Sequence, residues 1–207
     1  MRKLNEKELV NLLVEANLIE DVESATNVHI NEYDNTMAVD SLEGDFVIYA
    51  DYDDAEYDAI ERCKEIIIED CGLSDDLMNI AYNHGFIDEE WFKDFWIDVH
   101  YNQAYEEGIH YIALEYELEQ LEAGEITEEE IRDSHFDRLQ ASIGDAMEEY
   151  RYQFGEQELY NTLKYHELVN IEELSKYCVD VDGVASFIAS YDHEEIEHDG
   201  YYIYRTN

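Results

Sequence analysis

Apolar positions recur every three or four residues over most of this chain and every second residue in only a few short stretches, which predicts helices joined to a small amount of sheet. Over residues 4–19, Leu9, Leu12, Leu13 and Ala16 fall on one face of a first helix. The period is then lost between 27 and 50. DFVIYA at 45–50 reads as a buried strand after the Glu43-Gly44 turn, and 27–33 and 36–40 are weaker strand candidates. A helix from Asp53 to Cys71 puts Ala59, Cys63 and Ile67 on one stripe and stops at Gly72; a shorter one enters at Ser74 and closes at Gly85.

From Asp88 to about Ala123 the pattern is almost continuously helical, with Trp91, Phe95, Val99, Leu114, Leu118 and Leu121 as the expected core, a break near Gly108 and an end at Gly124. Thr127 and Glu130 form a capping box that opens a helix carrying Ile131, Leu139, Ile143, Met147, Tyr150 and Phe154. Another helix occupies 156–168, and Asn170 with Glu173 caps one more that runs to about Tyr177. The last thirty residues shift towards a period of two, VASFIASY and then YYIYR around the polar run DHEEIEHDG, and read as a closing hairpin. The expected fold class is therefore α+β, mainly helical, with N-terminal strands and a C-terminal β-hairpin. No internal repeat or flexible linker appears, so residues 1–207 read as a single acidic domain, with 72–87 as the weaker alternative boundary.

Charge changes the picture. Against 54 Asp and Glu stand 12 Lys and Arg, a formal net of -42. The excess is spread along the chain, -8, -13, -13 and -8 over residues 1–50, 51–100, 101–150 and 151–207, so no tail carries it. Hydrophobic residues at 45% and 18 Tyr argue for a folded protein rather than a disordered acidic one. B-DNA carries one charge per ~1.7 Å of axis, so this net charge corresponds to ~70 Å of duplex. A compact chain of this length should be about 43 Å across. Its charge density thus rivals that of DNA, and self-repulsion on that scale calls for a compensating use. Adaptation to high salt also yields acidic surfaces, but this chain has more Ile than Ala and is rich in Tyr and Asn, unlike halophile sequences.

The residues expected to carry that use are carboxylates at three- or four-residue spacing on presumptive exposed helix faces: Asp94 and Asp98; Glu115, Glu119 and Glu122; Glu128, Glu129, Asp133 and Asp137; and Asp51, Asp53, Asp54 and Asp58 at the start of the second helix. A single charged run is ordinarily a solvated face, and like-charge pairs at this spacing destabilise an isolated helix. Only the sum of these runs sets the chain apart from an ordinary acidic surface.

Other chemistry is weaker. Glu107 with His110 and Glu195 with His198 have the Glu-x-x-His spacing of di-iron bundles, but so many acids and eight His produce about two such pairs by chance. The acidic run 51–58 lacks the glycine and spacing of an EF-hand loop. No nucleophile elbow, Walker motif or dinucleotide fingerprint is present, and Cys63, Cys71 and Cys178 look structural, in a reducing compartment. No enzyme, cofactor or metal site is expected. Direct nucleic-acid binding is disfavoured because phosphate contacts need basic patches. No stretch reads as a signal peptide or a membrane span, so a cytoplasmic location in a bacterial host cell is expected.

Two resemblances add to this. SFIASYDHEEIEHDGYYIYRTN at 186–207, with 170–182 as the preceding helix, resembles the C-terminal pattern of a group of uncharacterised phage proteins in which a FLASYDG strand precedes a terminal YYIYR; here His193 replaces the usual glycine. That resemblance implies phage origin and no activity. The acidic, tyrosine-containing character of the whole, and YHELVNIEELSKY at 165–177, are similar to antirestriction proteins of the ArdA type; the likeness does not extend to the first 150 residues. It implies DNA mimicry: occupation of the DNA-binding site of a host defence or DNA-processing protein, such as a restriction-modification complex or a CRISPR effector. A homodimer would lengthen the charged surface. The rival reading is an acidic adaptor or chaperone for a basic protein, without mimicry of DNA geometry.

Overall fold

Asn5 opens the first helix, α1 (Glu6–Glu15), through a capping box: its side chain accepts the Glu8 N–H at 3.1 Å while the Glu8 carboxylate accepts the Asn5 N–H at 2.9 Å. The computed structural model describes residues 4–31, 36–70 and 72–207, with the side chains of 70, 103–105 and 107 excepted. Cys71 and the end of the strand expected over 27–33 therefore lie outside the described residues. Three strands follow, β1 (Ala25–Ile30), β2 (Met37–Ser41) and β3 (Asp45–Tyr49), then α2 (Tyr52–Glu65), which runs into a π-helical turn at Ile66–Asp70. Next come α3 (Asp75–His84), α4 (Glu89–Glu107), α5 (Ile109–Ile112), α6 (Glu115–Glu122), α7 (Glu128–Ser142), α8 (Ala146–Phe154) and α9 (Glu156–Tyr165). The chain ends with α10 (Ile171–Asp182), α11 (Ala185–Ile188), β4 (Glu195–His198) and β5 (Tyr201–Arg205). The fold is α+β.

The chain forms two units. One is built from residues 1–74 and 171–207, the other from 75–170. In the first, an antiparallel sheet has the strand order β1-β2-β3-β5-β4, so the two ends of the chain meet where β3 pairs β5, Ile48 opposite Ile203. Alternation decides the faces. Phe46, Ile48, Tyr201 and Ile203 pack with Leu9, Leu12 and Leu13 of α1, together with Met37 and Val39. Their neighbours Tyr49 and Tyr204 are also buried, on the other face, where α2 and α11 lie against β3 and β5 and their rings meet edge-on at 5.8 Å. Cys63 of α2 and Cys178 of α10 face each other there as free thiols. Burial, with Cys178 beside it, pushes the Cys63 thiol up to about 11.

The second unit is helical. Phe92, Trp96 and Ile97 of α4 pack with Ile131 of α7 and Tyr150 of α8 in its core, and a single bridge, Ile87 to Val169, ties the chain entering α4 to the chain leaving α9. The Asp88 N–H donates to the Leu168 carbonyl at 3.0 Å, and the Asn170 N–H to the Phe86 carbonyl at 2.8 Å.

Three expectations need correction. The run VASFIASY is not a strand: a short helical turn brings Val184 and Ile188, four residues apart, to one side, and Ala189 beside them is buried at its end. The closing hairpin does form, but its first strand is the polar Glu195–His198. Second, the helix opened by Thr127 stops at Ser142, and a new one starts after Asp145, whose side chain accepts the Glu148 N–H at 2.9 Å. Third, the core face of α4 is rotated. Phe92, Trp96 and Ile97 are buried, Phe95 and Val99 are half-buried, and Trp91 is 39% exposed. Leu114 likewise is exposed at the start of α6.

His193 holds φ at 59°, in the left-handed region that glycine favours.

Candidate acidic interaction surface

Local rules place the acids on the outside. On α4 the apolar stripe 92–96–97 turns inward, which leaves Asp94 and Asp98 exposed, four residues apart and thus about 6 Å apart along the axis. On α7, burial of Ile131 leaves Glu129, Asp133 and Asp137 exposed at successive four-residue steps. On α6, Glu115, Glu119 and Glu122 are exposed while Glu117 points in. Among the described residues none of these eight carboxylates accepts a side-chain hydrogen bond or ion pair. Glu128 is exposed and 3.8 Å from Arg132, a contact one turn along the helix.

The acids expected at the start of α2 behave differently. Asp51 caps the helix, accepting the Asp53 N–H at 3.2 Å, and Asp53 is exposed. Asp54 is half-buried. Asp58 is already engaged, accepting the Tyr49 hydroxyl and sitting 3.2 Å from the Arg62 guanidinium. It belongs to the frame of the first unit rather than to a surface awaiting a partner.

The second unit holds its acidic helices with one group that sequence reasoning passed over. Glu117, 4% exposed, accepts from Arg138 Nη1 and the Leu114 N–H, both at 2.7 Å, and from the Ser134 hydroxyl at 2.9 Å. Arg138 Nη2 also donates to the Ile112 carbonyl at 2.9 Å. One carboxylate thereby fastens the end of α5 and the start of α6 to α7. Burial opposes its charge, but the Arg138 guanidinium and the two other donors outweigh burial and hold the carboxyl down to about 2. Its signal in the sequence was the third position of α6, three residues after Leu114, from which a carboxylate reaches back to an orphan N–H.

The basic residues are largely spent inside the chain. Lys64 bridges Glu61 and Glu172, Lys176 pairs with Glu172 and Glu173, and Lys164 lies 3.4 Å from Asp75. Arg151 and Arg205 lie over the rings of Tyr82 and Tyr191, at 5.5 and 4.1 Å.

Among the described residues, neither Glu-x-x-His pair is part of a group of three or more metal-ligating side chains that includes both of its members. Glu195 accepts the Tyr204 hydroxyl at 2.5 Å, and the Glu107 side chain lies outside the described residues. Glu15, His198 and Asp199 bring one ligand atom each within 4.8 Å of one another at the surface of the first unit. No helix of the described residues is long and apolar enough to cross a membrane. Set against known protein families, curated proteins and solved structures, the chain matches none.

Proposed function

We propose that this protein is a non-catalytic, phage-encoded DNA mimic that occupies the DNA-binding site of a host defence or DNA-processing protein, such as a restriction-modification complex or a CRISPR effector. The observation that carries the reading is the set of exposed, unpartnered carboxylates on α4, α6 and α7, repeated at helical spacing. Axial steps of about 5–6 Å along each helix are within a factor of about two of the ~3.4 Å of axis per charge on one strand of duplex DNA. Such a surface competes for the Lys and Arg that hold phosphates, and its field steers a basic partner into contact.

A pull-down from nuclease-treated bacterial lysate, eluted with a salt gradient, tests the proposal. One dominant DNA-binding protein released by salt supports it. A broad collection of basic proteins favours the acidic adaptor instead, and recovery of no basic protein contradicts both.

A further inference from the structure

The two tryptophans of α4 have opposite fates. Trp96 is 1% exposed, whereas Trp91 is 39% exposed and belongs to a patch of rings at the surface of the second unit. Its indole stacks on Phe95 with centroids 5.6 Å apart and planes 12° from parallel, and lies 4.7 Å from the His166 ring. Phe95 is 5.2 Å from His166, and the exposed Tyr165 ring meets His166 at 4.8 Å. The patch is framed by acids on the same stripe of α4 and just before its first turn. Asp88, Asp94 and Asp98 stand three residues before, three after and seven after Trp91, all exposed. Asp88 accepts the Trp91 N–H at 3.0 Å, while Asp94 and Asp98 have no partner among the described residues.

An indole face attracts a cation through its quadrupole, and carboxylates beside it accept the cation's N–H groups. The combination selects arginine over lysine, because a planar guanidinium both stacks on a ring and forks onto a carboxylate, whereas an ammonium is a hydrated point charge. The net charge of -42 repels an anionic occupant. Apolar rings inside a charged rim are also the composition of an interface hot spot.

We propose that the Trp91, Phe95 and His166 patch, with Asp94 and Asp98, is a docking site for an arginine side chain of the basic partner protein. The inference rests on the reading that the partner is basic and adds a specific anchor to a diffuse electrostatic contact. Carboxylates alone give affinity that decays with salt and tells lysine from arginine poorly. The ring patch supplies the discrimination.

The test uses the full-length protein and two defined probes, octa-arginine and octa-lysine, titrated calorimetrically at two salt concentrations. The wild type is expected to bind octa-arginine about three- to tenfold more tightly than octa-lysine. Trp91→Leu keeps apolar bulk against Phe95 but removes the π face, and should bring the ratio close to one with octa-lysine binding little changed. Trp91→Phe should retain most of the preference. Circular dichroism, and fluorescence from the buried Trp96, report that each variant is folded. Equal affinity of the wild type for both peptides, or a preference that survives Trp91→Leu, overturns the proposal. Its failure is separable from failure of DNA mimicry: an arginine preference with no competition from duplex DNA at a captured partner keeps this site and loses the mimic, and the converse result does the reverse.

Discussion

Glu117 and Arg138 make the sharpest statement about how so acidic a unit stays folded. Held down to about 2 from an ordinary value near 4.5, the Glu117 carboxyl contributes about 3 kcal/mol at neutral pH, taking 1.36 kcal/mol per unit. The direction follows from linkage. A depressed folded-state value gives stability that is fully present above pH 4.5 and is lost as pH falls towards 2. Glu117→Gln keeps the shape but removes the charge and leaves Arg138 facing a neutral group, so the expected cost at pH 7 is about 1–3 kcal/mol. Urea denaturation of wild type and variant from pH 7 to pH 2.5 measures it, urea being chosen because an ionic denaturant would screen the charges. Both proteins shed like-charge repulsion as exposed carboxylates protonate, so the difference between the curves isolates the pair. That difference should shrink steadily below pH 4.5. A difference below about 0.5 kcal/mol at pH 7, or one constant down to pH 2.5, would refute the reasoning.

Other perturbations test other parts of the account. Raising salt from 10 to 500 mM shortens the Debye length from about 30 Å to under 5 Å, so the thermal midpoint should climb; a fall would mean the net charge is not destabilising. At Gly44, with φ at 151°, an added Cβ would lie 2.5 Å from Arg205 Nε and 2.9 Å from the Asn207 carbonyl oxygen, so Gly44→Ala should cost about 1–3 kcal/mol in chemical denaturation. His193→Gly relieves a left-handed side-chain residue and should leave the unfolding free energy unchanged or raise it, by up to about 1 kcal/mol; a loss of stability would mean that the imidazole makes a contact worth more than the strain. Leu13, fully buried between α1 and the sheet, should cost about 2–5 kcal/mol when changed to Ala.

Where one periodicity dominated, the sequence was legible. The stripe of Leu9, Leu12 and Leu13, the strand DFVIYA, and the stops at Gly72, Gly85 and Gly124 all lie at or next to observed element boundaries or core faces. It was ambiguous where apolar residues surround a helix. On α4 the residues 91, 92, 95, 96, 97 and 99 cover most of the circumference, so spacing could not choose the inward face, and the choice of Trp91 over Phe92 was wrong by about 100°. VASFIASY failed for a related reason, since a short apolar run suits a helical turn as well as a strand. Glu117 was hidden by number: its place three residues after Leu114 marks a carboxylate that can reach back to an orphan N–H, but only the fold brings Ser134 and Arg138 to it from a different helix and buries it. The exposed acids were easier, because an apolar stripe that turns inward leaves the remaining positions in water.

The central claim is that the partner holds this protein with the same side chains that hold DNA, and competition tests it most directly. The protein, fluorescently labelled, is bound to its captured partner and titrated with a 20-base-pair duplex while anisotropy is followed. Mimicry predicts complete displacement, with the apparent affinity for the protein falling in proportion to the duplex added. A ternary complex, in which partner, duplex and protein stay bound together at saturating duplex, would contradict it.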